Sequence, residues 1–99
     1  MSNQVIINVA NDFYPRPAGR FITDGDYSGE AFREGLLKNA ITHLKKFDKP
    51  KLVIDFHGVT MAGSSFLEEA FGGLVRKGYI SKPDLQKKLL IESHRTVIE

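Results

Sequence analysis

The chain contains no cysteine, so neither a disulfide framework nor a four-cysteine zinc site is possible. It also lacks long hydrophobic runs, and no apolar stretch approaches the roughly 20 residues of a membrane-spanning helix. Residues 1–4 carry neither the basic region nor the apolar stretch of a secretory signal. We therefore expect a cytoplasmic protein that has no membrane partner.

A strong excess of charge of one sign is missing as well. The net charge of the 99 residues is +2, and acidic residues are mixed with two separated lysine pairs at 45–46 and 87–88. Nucleic-acid-binding proteins concentrate basic residues on one face. We therefore interpret these lysines as solvated surface and expect no nucleic-acid partner. The length suits a single domain over residues 1–99.

The spacing of apolar residues predicts alternating strands and helices. We expect strands at 5–9, 20–22, 51–56 and 89–92, and helices at 28–46, at 64–77 and shortly after Ser81. The first two strands are joined by a short connection, which favours antiparallel pairing. The predicted fold class is therefore α/β: a mixed β-sheet of about four strands with helices packed mainly on one face.

Two serines occupy positions typical of helix starts. Ser28 is a predicted N-cap, and Ser65 followed by Glu68 matches a capping box. Gly72 and Gly73 interrupt the second helix. Each costs about 1 kcal/mol relative to alanine there. Close packing against the sheet, or close approach of a partner backbone, would explain them.

Four segments form a recognisable pattern: residues 53–59, residues 63–71 with their Ser-Phe-x-x-Glu motif, and residues 19–21 and 28–33 before the first long helix. In these segments the chain resembles the STAS family, whose members include the bacterial anti-sigma-factor antagonists. The resemblance implies a protein-binding regulatory module without a cofactor. The implied partner is a histidine-kinase-like ATPase or another signalling protein.

In the antagonists that this chain resembles, a serine at the start of a helix is phosphorylated by the partner. The matching position is Ser64, with Ser65 beside it; Gly63 and Phe66 stand where the antagonists have Asp and Gly. A phosphate there would meet the like charges of Glu68 and Glu69 and expel a partner. The expected partner-binding residues are His57, Gly58, Gly63, Ser64, Phe66, Glu68 and Glu69.

Other interpretations stay open at this point. Ser64 could be a structural residue of a constitutive scaffold domain. A serine hydrolase would require Ser64, His57 and Asp55 to act together, but the sequence lacks a Gly-x-Ser-x-Gly motif and metal-ligand spacing between histidines. A mixed-charge set before the first long helix is either a surface ion-pair network or part of a docking face. It consists of Arg20, Asp24, Glu30 and Arg33.

Overall fold

The computed structural model describes residues 4–47, 50–92 and 97–98. Five strands are found in these ranges: β1 (Gln4–Asn8), β2 (Lys51–Asp55), β3 (Met61–Ala62), β4 (Leu89–Glu92) and β5 (Val97–Ile98). The helices are α1 (Val9–Asp12), α2 (residues 29–44), α3 (residues 64–76) and α4 (Lys82–Lys88). Within the described residues, none of the helices is long and apolar enough to cross a membrane.

The main sheet has three strands in the order β1–β2–β4, and both pairs are parallel. Its register places Ile7 beside Ile54 and Ile54 beside Ile91. The short strands β3 and β5 form a separate parallel pair. The α/β class with its helix-covered sheet is confirmed, with three strands in the main sheet where about four were expected.

The antiparallel strand predicted at 20–22 is wrong. A short 3₁₀ turn, Ile22–Asp24, lies in its place. The Asp24 carboxylate accepts hydrogen bonds from the main-chain N–H groups of Arg20 and Phe21, and Glu30 accepts one from Ile22. These side chains satisfy the donors that a neighbouring strand would otherwise have to satisfy.

The core lies between one face of the sheet and the two long helices. Leu52, Ile54 and Phe56 are fully buried on that face, as their alternation in the sequence predicted. Phe32 of α2 and Phe66 of α3 are also fully buried, and their rings lie 5.6 Å apart. The packing of α2 against α3 over the sheet therefore brings the starts of the two helices together.

Local signals place the helix ends correctly. The Ser28 hydroxyl accepts a hydrogen bond from the Ala31 N–H, and Ser81 accepts one from Asp84. Gly78 follows α3 with a φ of +74°, a conformation in which glycine carries no steric penalty. Ser28 and Ser81 begin helices where the sequence predicted, and Gly78 follows the end of α3.

Each long helix contains a π-helical segment that the sequence did not indicate. In α2 the segment is Arg33–Leu37, and in α3 it is Glu68–Gly72. Such wider turns often occur at functional positions in helices. Arg33 and Glu69, which meet between the helices, each belong to one of these segments.

Candidate functional site

The 58–63 loop connects β2 to α3 and carries the predicted partner-binding surface. Gly58 has a φ of +89°, and a side chain there would be strained and close to Ala10. The Thr60 N–H donates a hydrogen bond of 3.0 Å to the Pro15 carbonyl. The loop is thus attached to the connection between α1 and α2.

The start of α3 differs from the predicted capping box. Gly63 is the N-cap residue and provides no side-chain cap, and Ser64 is the first helical residue. The Ser65–Glu68 box is wrong because the Glu68 carboxylate binds Arg20 and Arg76 instead. Ser64 is exposed, and its hydroxyl makes no hydrogen bond to any residue in the described part of the chain.

A buried ion pair joins the two long helices. Arg33 Nη1 of α2 donates to Glu69 Oε2 of α3 at 2.6 Å and to the Glu69 carbonyl at 3.0 Å. Arg33 is 1% exposed and Glu69 is 7% exposed. Arg33 Nε also donates to Glu34 at 2.8 Å, and Glu34 accepts from the Tyr79 hydroxyl. Every polar atom of Arg33 that is buried therefore has a partner.

Two further arginines complete the arrangement. Arg20 and Arg76 each bind both Glu68 and Glu69, and their distances to Glu69 Oε1 are 3.2 Å and 3.0 Å. We call Arg20, Arg33, Glu68, Glu69 and Arg76 the ion-pair cluster. A phosphate on Ser64 was expected to meet the like charges of Glu68 and Glu69, but guanidinium groups neutralise both carboxylates.

Glycines provide the space that this cluster needs. A Cβ on Gly73 would collide with the Arg33 guanidinium, and one on Gly72 would collide with Glu68 and approach Arg76. The two glycines therefore pack against charged side chains, and not against the sheet as one interpretation held. A Cβ on Gly29 would overlap the Phe66 carbonyl oxygen and lie 3.0 Å from the Ala70 nitrogen. Gly29 thus allows the backbones of α2 and α3 to approach closely.

The mixed-charge set before α2 is divided by the fold. Arg20 and Arg33 enter the ion-pair cluster, whereas Asp24 and Glu30 bind main-chain N–H groups of the connection before α2. Arg33 lies between the helices and is almost completely buried. A purely surface ion-pair network is therefore wrong for this set, and a docking face that includes Arg33 is also wrong.

Two of the predicted partner-binding residues cannot contact a partner in this structure. Phe66 is fully buried, with its ring 6.2 Å from that of Phe13. Glu69 is held inside the ion-pair cluster. His57, Gly58 and Ser64 are exposed, and Gly63 and Glu68 are accessible at the same end of the sheet.

Asp55 and His57 shape the end of β2. The Asp55 carboxylate accepts hydrogen bonds from the His57 main-chain N–H at 2.9 Å and from the Asn8 amide at 3.3 Å. The Ser64 hydroxyl bonds to neither residue. In residues 4–47 and 50–92, no three His, Cys, Asp or Glu side chains converge as metal ligands would.

An exposed aromatic surface beside the 58–63 loop was missed by the sequence analysis. The rings of Tyr14 and Tyr27 stack with centroids 3.7 Å apart, and the two residues are 37% and 41% exposed. In the same connection, Phe21 and Ile22 are 47% and 55% exposed. A shallow pocket of about 200 Å³ lies between this connection and the loop; its lining residues are Arg16, Pro17, Ala18, Met61 and Gly63.

The pKa values of the three carboxylates that bind the arginines of the ion-pair cluster, Glu34, Glu68 and Glu69, are lowered from their ordinary value. Burial opposes ionisation of Glu69, but hydrogen bonds from Arg33 and Arg20 outweigh it and hold its pKa below the usual 4.5. Arg76 and Arg20 lower the pKa of Glu68, and Arg33 lowers that of Glu34. The unfolded chain therefore binds protons first as the pH falls. The stability that these carboxylates contribute is fully present above about pH 4.5. It is lost as the pH falls through their lower pKa values in the folded state.

We accordingly expect the free energy of unfolding to fall steadily below about pH 4.5. Glu69→Gln should make this decline shallower, because one group that takes up a proton on acid unfolding has been removed. Urea denaturation at a series of pH values measures both slopes. Identical slopes for the two proteins would show that Glu69 is not coupled to the arginines.

The fold and the site define a small α/β domain of the STAS-like type. A protein-family model described as STAS-like domain of unknown function (DUF4325) matches residues 28–94, and the chain belongs to this family. Searches of the curated proteins and of the solved structures found no match. The family membership confirms the STAS-like resemblance.

Proposed function

We propose that the chain is a cytoplasmic regulatory module that binds another protein. Its binding surface would comprise the 58–63 loop, the start of α3 and the connection between α1 and α2 that carries the exposed aromatic residues. The observation that carries the proposal is the exposure of Tyr14, Tyr27, Phe21 and Ile22 in one connection next to that loop. Aromatic residues with arginine nearby are enriched in protein interfaces and supply much of their binding energy.

Ser64 is the proposed switch of this surface. Its exposed hydroxyl is not used to cap α3, because Gly63 occupies the N-cap position. A phosphoserine would add nearly two negative charges at the accessible rim while the fold stays intact. The family resemblance supports a histidine-kinase-like ATPase as the partner that adds this phosphate. The acidic neighbour Glu68 is paired, so the main effect would be on the partner and not on α3.

The test compares wild type, Ser64→Ala and Ser64→Asp as baits in a lysate of the native host. We expect wild type and Ser64→Ala to capture the same ATPase-like protein, identified by mass spectrometry, and Ser64→Asp to lose it. The thermal midpoint should be nearly the same for all three, since exposed substitutions change stability little. Thr42→Asp, on the exposed side of α2, controls for added charge elsewhere and should still capture the partner.

A constitutive scaffold domain is the second candidate. It is favoured by the ion-pair cluster, which stabilises the start of α3 without any modification. In that case Ser64→Ala and Ser64→Asp would capture the same partners equally well. A collapse of the thermal midpoint in Ser64→Asp would instead show that the serine is structural.

A further inference from the structure

Arg16 is held beside the 58–63 loop by main-chain hydrogen bonds on both sides of it. The Pro15 carbonyl accepts a hydrogen bond of 3.0 Å from this loop, and the Ala18 N–H donates to the Tyr27 carbonyl at 3.1 Å. The Arg16 side chain is exposed. Its main chain is therefore fixed against the loop, while its guanidinium remains accessible.

The pocket between this connection and the 58–63 loop has a positive wall. Its volume is about 200 Å³, and Arg16 is the one charged side chain among the described residues that line it. Gly63 lines it from the loop, and Ser64 directly follows Gly63 in the chain. A cleft lined by charge of one sign attracts ions of the other sign. The start of α3 therefore lies at the edge of a pocket that favours an anion.

The Arg16 and Ser64 side chains are both unpaired within the part of the chain that the structure describes. The Arg16 guanidinium makes no hydrogen bond or ion pair with residues 4–47, 50–92 or 97–98. By contrast, the three arginines of the ion-pair cluster all bind Glu69. The exposed Ser64 hydroxyl is equally without a partner in the described ranges. A new charge on Ser64 can therefore pair with Arg16 without breaking a described contact.

We propose that a phosphate on Ser64 binds the Arg16 guanidinium and closes this pocket. A phosphoserine carries nearly two negative charges and three acceptor oxygens. The guanidinium presents parallel N–H groups that match two of these oxygens. Arg20 is the competing cation, because its partner Glu68 lies one helical turn from Ser64. Arg20 would first have to leave Glu68 and Glu69, whereas Arg16 has no ion pair with a described residue to break.

This pairing changes the proposed binding surface in two ways. The phosphate fills the pocket in the connection that also carries the stacked rings of Tyr14 and Tyr27, and it neutralises the exposed Arg16. Aromatic residues and arginine supply much of the binding energy of protein interfaces. A partner on this surface therefore loses both a pocket and a cation. This regulatory consequence rests on the proposed function, whereas the pair between Arg16 and the phosphate needs no partner protein.

Phosphorus NMR of the full chain, with phosphoserine incorporated at Ser64 during synthesis, tests the pair by pH titration. A free phosphoserine has a second pKa of about 6. We expect about 5.5 in this chain, a change of the size that an exposed ion pair produces. Arg16→Gln should return the phosphate pKa toward that of the free phosphoserine. Lys77→Gln is the matched control: it removes one positive charge at the far end of α3 and should leave the lowered pKa unchanged.

The Arg16 Nε–H resonance gives a second measurement without any substitution, and it should shift when the phosphorylated and unmodified chains are compared. An unmoved resonance, or the same phosphate pKa with and without Arg16, would overturn the proposal. So would an equal change in Lys77→Gln. These spectra need neither kinase nor partner. An Arg16-dependent pKa would support the pair even if Ser64→Asp kept its lysate partner, and its absence would refute the pair even if Ser64→Asp lost that partner.

Discussion

Glu69→Ala should lower the free energy of unfolding by about 3–5 kcal/mol, the range typical of breaking a buried ion pair by removing one partner. The variant removes the carboxylate that binds Arg33 Nη1 between α2 and α3, at a position that is 1% exposed, and leaves Glu34 on Nε as the remaining counterion. A buried charge that loses its buried counterion leaves much of its desolvation penalty uncompensated, because the partly exposed Glu34 is a weaker substitute. Urea denaturation monitored by circular dichroism measures the change.

Glu68→Ala is the matched control for this prediction. Glu68 is adjacent in α3 and binds the same two outer arginines, Arg20 and Arg76, but its side chain is 46% exposed. Water screens such pairs, so its loss should have a much smaller effect than the loss of Glu69. Equal effects for the two alanine variants would contradict the assignment of Glu69 as the buried partner.

Replacing both members of the Arg33–Glu69 pair with apolar side chains distinguishes the contribution of the ion pair from that of side-chain packing. Arg33→Met combined with Glu69→Leu removes both charges while keeping most of the side-chain volume. Such replacements of a buried ion pair are often neutral or stabilising. The double variant should therefore have a higher free energy of unfolding than Glu69→Ala. A lower value would show that the ion pair stabilises the fold beyond offsetting the cost of burying its two charges.

Gly29→Ala should also destabilise the domain strongly, near the upper end of the roughly 1–3 kcal/mol typical of overpacking. The added Cβ would overlap the Phe66 carbonyl oxygen and lie 2.9 Å from Glu69 Cβ. Backbone atoms of a helix cannot move aside as a flexible side chain can. The helices α2 and α3 would have to separate, which would also stretch the Arg33–Glu69 pair.

Gly35→Ala provides the contrast within the same helix. A Cβ at Gly35 would meet no atom within 4 Å. Alanine there should raise the free energy of unfolding by about 0.4–1 kcal/mol, because it restricts the unfolded chain and favours the helix. Thermal and urea unfolding of both variants measure the difference. A destabilised Gly35→Ala or a neutral Gly29→Ala would contradict the close approach at Gly29.

Regular elements were predicted well because their signals are local. The alternation around Ile54, the helical spacing in α2 and the caps at Ser28 and Ser81 depend on neighbours a few residues away. The wrong strand at 20–22 and the wrong capping box at Ser65 had plausible local signals too. At 20–22, the Asp24 and Glu30 carboxylates accept hydrogen bonds from main-chain N–H groups that a strand would have paired. At Ser65, the Glu68 carboxylate binds arginines that are distant in the sequence and does not cap the helix.

The candidate site was predicted only in outline. The sequence indicated the 58–63 loop and the start of α3, but it placed Phe66 and Glu69 on the surface. The Ser-Phe-x-x-Glu motif contained the relevant signal, since Phe66 lies in the core and Glu69 binds Arg33. No spacing rule could show this, because 36 residues separate Arg33 from Glu69.

The sequence by itself determined the strands β1, β2 and β4, the helices α2, α3 and α4 and the core-facing side of β2, because periodicity and capping are encoded over a few residues. The STAS-like class followed from the resemblance carried mainly by residues 53–59 and 63–71. Only the tertiary structure decided that Arg33 and Glu69 form a buried pair, that glycines make room for it, and that aromatic residues cover the surface beside the 58–63 loop. These features depend on which faces of distant segments meet. That choice is made when the whole core packs, not within any one segment.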